Sequence, residues 1–242
     1  MLKEALEKSL LAMEMKPEAF TLIAEDIKTA HPDKDPQTLY LHYKSLFPPN
    51  PYLKDEVKIE FSVRSLTEPY EERPIQSLLW EYFPNKAYEE TPSMIRTTQP
   101  RKTFLEKTFL LHEKFAGIVG QKIPEKNLGS ERGSRHLYDI VKMDEQGITN
   151  QILNDPAFYN TLQNHRRHWI RLKGFDYTTL HPSTINFVPP NHAIAKYQQD
   201  YIAMTNGGML TTPYHHFNII HKKLQTINDR FRTLVLPTRI NL

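Results

Sequence analysis

The sequence predicts an α+β protein: a short mixed region, then a mainly helical C-terminal region. Two segments, VKIEFSVRS and TPSMIRTTQP, read as extended, and from Thr103 onward apolar residues recur at helical spacing. Residues 1–100 are expected to form a small α+β unit and residues 101–242 a helical domain.

In chain order, Leu2, Leu6 and Leu10 recur every four residues and Met13 follows, which marks an amphipathic helix. Pro17 is placed to open a second helix through AFTLIAEDIKTA, which HPDKDP breaks. A third, QTLYLHYKSLF, ends at Pro48, Pro49 and Pro51. VKIEFSVRS then puts Val57, Ile59, Phe61 and Val63 on one face and Lys58, Glu60, Ser62 and Arg64 on the other, the pattern of a half-buried strand. Pro69 and Pro74 bound a loop before IQSLLWEYF.

Thr103 and Glu106 make a capping-box pair for a helix running to about Gly120. Ser134 is the expected N-cap of the helix in GSRHLYDIVKM. Further helices are expected around 150–170, 191–204 and 214–233, with no internal repeat.

Composition narrows the chemistry. The chain has 8 glycines in 242 residues, and the first is Gly117. A Walker loop or a Rossmann fingerprint is therefore excluded before it, and the later glycines fit neither spacing. Cysteine is absent, which removes disulfides, thiolate zinc sites and a Cys nucleophile. Lys plus Arg minus Asp plus Glu is 31 − 28 = +3, so attraction to nucleic acid has to come from a local patch. No apolar run reaches the ~18 residues of a membrane span, and the N-terminus lacks a signal core, so a cytoplasmic, non-membrane protein is expected.

Four elements could carry chemistry. Glu60, fixed on a strand, suits a metal ligand, or is part of a solvated strand face. Lys107 sits at the edge of a stripe of Phe104, Leu111, Phe115 and Ile118, with Glu106 and Glu113 facing away. It either presents an ammonium to phosphates or snorkels to water. Arg135, His136 and Asp139 share one side of a helix start while Leu137 and Val141 point to a core; they are a polar site or an ordinary surface ion pair. The run HRRHWIRLK, with Arg166, Arg167, Arg171, Lys173 and Trp169, could track phosphates with the indole stacked on a base, or be a solvated face with Trp169 in the core. His215 and His216 lack metal-ligand spacing and acidic company.

In order, KIEFSVRS, PRKTFLEKTFLLHEKF and SRHLYDIVKM resemble the characteristic blocks of the AbiEii/AbiGii toxin family of nucleotidyltransferases, and FDYTTLHPSTINFVPP, DYIAM and LQTIND are similar to its C-terminal region. The resemblance implies a partial polymerase-beta-like sheet followed by a helical region. It also implies a bacterial toxin of a toxin and antitoxin pair that moves a nucleotidyl group from a nucleoside triphosphate, with Mg2+, to RNA, in known members the acceptor end of tRNA. Carried over by motif, Glu60 resembles a metal-site carboxylate, Lys107 the lysine on the triphosphate and Asp139 the final acidic residue, with Arg135 and His136 in support.

One departure stands out. The family's Gly-Ser element and Asp-x-Asp pair belong upstream of these blocks, and no glycine precedes Gly117. Asp33 and Asp35 spell Asp-x-Asp, but between Pro32 and Pro36, in a turn. A two-metal mechanism needs carboxylates bridging ions ~3.5–4 Å apart, which one glutamate cannot do. Three expectations follow: a nucleotidyltransferase whose first motif is supplied elsewhere, a non-catalytic module that binds RNA or a protein, or an α+β chain that self-associates through an exposed sheet edge.

Overall fold

The computed structural model describes residues 2–25, 37–61, 66, 68–83, 91–117, 132–210 and 213–236. The chain divides into two compact units, Met1–Ser65 with Ile202–Tyr214, and Leu66–Tyr201 with His215–Leu242. The α+β class expected from sequence holds, with small antiparallel sheets and a helical C-terminal region.

In the first unit, helix α1 (Leu2–Ala12) packs on strand β1 (Phe20–Ala24), which pairs with β2 (Gln37–Tyr43), and β2 with β3 (Glu56–Phe61), an antiparallel meander. Two of these strands correct the expectation of helices opened by Pro17 and by Gln37. Pro17–Ala19 is a single 3₁₀ turn, and FTLIA and QTLYLHY are extended. Their Thr, Ile, Tyr and Phe side chains suit a pleated surface. Pairing supplies the rest: Leu22 lies opposite Leu41, and Leu39 opposite Ile59, so one sheet face collects the aliphatic residues.

Leu22 and Leu39 are buried there. β3 departs from the half-buried strand expected, because among the described residues it pairs with β2 alone; Val57 is 47% exposed and Phe61 39%. Ser62, Val63 and Arg64 lie outside the described residues, as do Asp33 and Asp35. Asn50 Nδ2 donates to Gly207 O at 2.8 Å, and a Cβ added at Gly207 would stand 2.5 Å from Tyr52 Cβ, a close approach that requires glycine.

The second unit opens with the antiparallel ribbon β4 (Tyr70–Ile75) and β5 (Ser93–Thr98), with α2 (Leu78–Tyr82) between them. β4 runs through what the prolines suggested was a loop. Pro74 is tolerated because a two-stranded ribbon has unpaired edges where a missing N–H costs nothing. β5 matches the extended reading of TPSMIRTTQP.

Helix α3 (Pro100–Ala116) follows, then α4 (Ser134–Glu145), α5 (Ile148–Leu153), α6 (Pro156–His165), α7 (Asn191–Asn206) and α8 (Phe217–Phe231). α3 begins earlier than the capping box implied: Pro100 occupies the first turn and Thr103 lies inside the helix. Glu106 pairs with Lys102 one turn back, 3.2 Å away. Beyond Gly117 the expected extension to Gly120, with Ile118, lies outside the described residues.

α3 is the central helix. Phe104, Leu105, Phe109, Leu111 and Phe115 are buried; Phe104 stacks on Phe231 of α8 with ring centroids 5.8 Å apart, and Phe109 meets Tyr159 of α6 edge-on at 5.3 Å. α6 is fixed at its start by Asp155, which accepts from Phe158 N and from Arg101 of α3. α4 is tied to α8 by Asp144 with Arg230 and by Glu145 with Lys223, and Glu145 also pairs with His215, two residues before α8. Lys142 and Lys223 in particular hold the Glu145 carboxyl at about 2. His215 thus has the acidic company that sequence spacing denied it. No described helix is long and apolar enough to cross a membrane.

Candidate functional site

The site is built where α3 meets the start of α4. Four of the five residues singled out from sequence lie on these two helices, and three of them touch. Lys107 Nζ donates to Asp139 Oδ2 at 2.8 Å and lies 3.3 Å from His136 Nδ1. An ammonium has no acceptor, so Nδ1 accepts and the ring proton sits on Nε2. Burial, then the charges of Lys107 and Arg135, push His136 down to about 4, so the imidazole is neutral at pH 7. Two of the three ammonium donors of Lys107 are then used, and the third has no partner among the described residues. Lys107 is 22% exposed and Asp139 40%, so the pair is reachable from solvent. Arg135, on the same first turn of α4, is exposed.

The start of α4 is fixed from outside the helix. Ser134 was expected as its N-cap; instead Gly133 holds that position and Ser134 is the first helical residue. The Asp200 carboxylate of α7 accepts from Arg132 N, Ser134 N and the Ser134 hydroxyl, so the cap is a carboxylate brought from α7. Asp200 therefore sets where Arg135, His136 and Asp139 emerge. No local spacing signals it; the DYIAM segment that contains it carries no partner pattern of its own.

Lys114 also went unnoticed in sequence, although it follows Lys107 by seven residues, two helical turns on one face. Its charge reaches His136, and burial pushes its pKa down while Asp200 pulls it up. His112, between them, is structural. Asn186 N donates to its Nδ1 at 2.9 Å, and Nε2 lies 3.0 Å from the Thr179 hydroxyl, which donates to Asp176 O. Burial holds His112 at about 4, neutral at pH 7.

Two sequence readings are corrected. Glu113 does not face away: it is buried and receives both arms of Arg166 at 2.5 and 2.6 Å. Arg166 is thereby removed from the basic run, while Trp169 is 60% exposed and so not a core residue.

Glu60 belongs to the first unit, on β3, with its Oε1 2.7 Å from Lys58 Nζ; that hydrogen bond raises the lysine's pKa. Among the described residues no three His, Asp or Glu side chains converge as a metal would require. Asp139 is engaged by an ammonium and Glu60 by Lys58. The described residues therefore do not fit a magnesium site by themselves.

A cation poised over a carboxylate and a neutral imidazole suits phosphate contact. The family model of the nucleotidyl transferase AbiEii toxin, of type IV toxin-antitoxin systems, matches residues 2–231. No curated protein and no solved structure matches the chain. A match that runs through both units, from α1 to the end of α8, places the chain in a family: it belongs to the AbiEii nucleotidyltransferase toxins of type IV toxin-antitoxin systems.

Proposed function

We propose that the chain transfers a nucleotidyl group from a nucleoside triphosphate to RNA, with tRNA the leading acceptor, and that the α3–α4 cluster contacts the triphosphate. The observation that carries this reading is Lys107, held by Asp139 and His136, with its third ammonium donor unpartnered among the described residues. In the transfer, an RNA hydroxyl oxygen bonds to the α-phosphorus while the bond to the pyrophosphate oxygen breaks, and the hydroxyl proton passes to water. Negative charge gathers on the leaving pyrophosphate. Lys107 is positioned to meet that charge, and a fixed cation needs no reorganisation as it develops.

Asp139 holds the lysine in place, and neutral His136 accepts from the ammonium without competing for the phosphates as a second cation would. Arg135, exposed on the same turn, supplies a further contact for the phosphates. As a toxin of this family the chain has an antitoxin protein as partner.

The test is direct. The purified chain is incubated with total RNA, magnesium and each α-labelled nucleoside triphosphate in turn. Label entering RNA is the expected result. A chain that retains RNA but incorporates no label refutes catalysis and leaves the reading of a non-catalytic RNA-binding module.

A further inference from the structure

The basic run His165–Lys173 is sorted by the fold into an anchor and a display. Arg166 is the anchor, its guanidinium held by the buried Glu113 carboxylate through two short bonds. From there Arg166–Ile170 forms a single π turn, closed by Arg171 N donating to Arg166 O at 3.4 Å. Arg171 has φ +44°, a left-handed conformation uncommon for an arginine, and it ends the helix abruptly. Such outliers concentrate where a surface is shaped for use.

The consequence is a turn whose side chains are sorted by role. Arg167, His168, Trp169, Arg171, Leu172 and Lys173 are exposed. His165 stacks on Trp169 with ring centroids 6.3 Å apart and planes 26° from parallel, which restrains the indole while most of its surface stays open to solvent. Asp176 lies near Arg167, and the Thr178 hydroxyl and N–H together with that charge hold its pKa down. Arg167, Arg171 and Lys173 thus give this segment three displayed charges with no acid in its own sequence, although the whole chain carries only +3.

From this we infer that the Arg167–Lys173 surface holds single-stranded RNA, Trp169 stacking on an unpaired base and Arg167, Arg171 and Lys173 lying along its phosphates. The inference rests on the reading of RNA as the acceptor and assigns the surface that holds it. The chemistry favours a single strand. An exposed indole among cations finds a base face only where bases are unstacked, and every base offers one. Duplex recognition would instead use the phosphates alone and leave the indole idle.

The test is binding of a short fluorescent single-stranded RNA of mixed sequence by the full chain, alongside Trp169→Ala and the double variant Arg171→Glu/Lys173→Glu. Trp169→Ala is expected to weaken binding about tenfold or more and to abolish RNA-induced quenching of indole emission, leaving only Trp80. The charge reversal should weaken binding and flatten the salt dependence by roughly 0.7 in log–log slope per lost phosphate contact. Circular dichroism checks that each variant is folded; the exposed positions make that the expected result.

Binding that all variants share overturns the patch while leaving RNA as acceptor. Binding of vesicles of anionic phospholipid through Trp169, with RNA affinity unmoved, overturns it in favour of a membrane surface. A wild-type chain that binds no RNA overturns both the patch and the RNA acceptor.

Discussion

Lys107 and its two partners show how a residue's role is set by company rather than by type. Position on a helical wheel marks Lys107 as an edge residue and no more, because spacing records faces and not what lies opposite. The partners come from α4, about thirty residues on, across a segment with no regular signal linking them. Two neutral histidines on these helices give a pH signature. His112 and His136 both titrate near 4 in the folded chain, against an ordinary 6.5. Between those values the unfolded chain binds protons that the folded one refuses, so stability is full above about pH 6.5 and is lost as pH falls toward 4. Urea unfolding at stepped pH should show that fall, with roughly 3 kcal/mol attributable to His112. His112→Asn, less stable at pH 7, should flatten the curve; a variant as steep as wild type would assign the fall elsewhere. Gly207 gives a second residue-scale test. A methyl there meets Tyr52 Cβ at 2.5 Å, so Gly207→Ala should lower stability by about 1–3 kcal/mol in thermal melts.

At the scale of elements, the buried Glu113–Arg166 pair links α3 to the turn that carries Trp169. Removing one charge strands the other in a dry site, so Arg166→Ala should cost about 3–5 kcal/mol in urea unfolding. The paired replacement Glu113→Leu/Arg166→Met should recover much of it, since apolar groups of similar size need no compensation. A single variant as stable as wild type would mean that the pair is not buried. This pair also shows where sequence reading stops. The apolar stripe of α3 was legible because Phe104, Leu111 and Phe115 repeat at helical intervals; that Glu113 points inward depends on an arginine 53 residues away. The same limit applies to β1 and β2, read as helices. Their Leu, Ile and Tyr residues fit either period over so short a span, and the ladder with β3 decided the outcome. Ser134 lost its expected capping role because Asp200, from a distant helix, does that work.

For the whole molecule, the family motifs were readable in sequence as ordered blocks, and the match over residues 2–231 agrees with them. The helical region was legible from its long periodic runs; the sheet region was legible only at β3 and β5, the two segments with clear extended patterning. Of the candidate residues, Lys107, His136 and Asp139 come into contact, Arg135 lies on the same turn, and Glu60 sits in the other compact unit. The proposed function turns on Lys107 serving the triphosphate during nucleotidyl transfer to RNA. It is tested most directly by the rate at which α-labelled nucleotide enters RNA, wild type against Lys107→Ala, with melting temperature matched as a control on folding. A loss of about 10²–10³-fold is expected, the range for removing one preorganised charge-stabilising donor. Labelling by Lys107→Ala at the wild-type rate would contradict it.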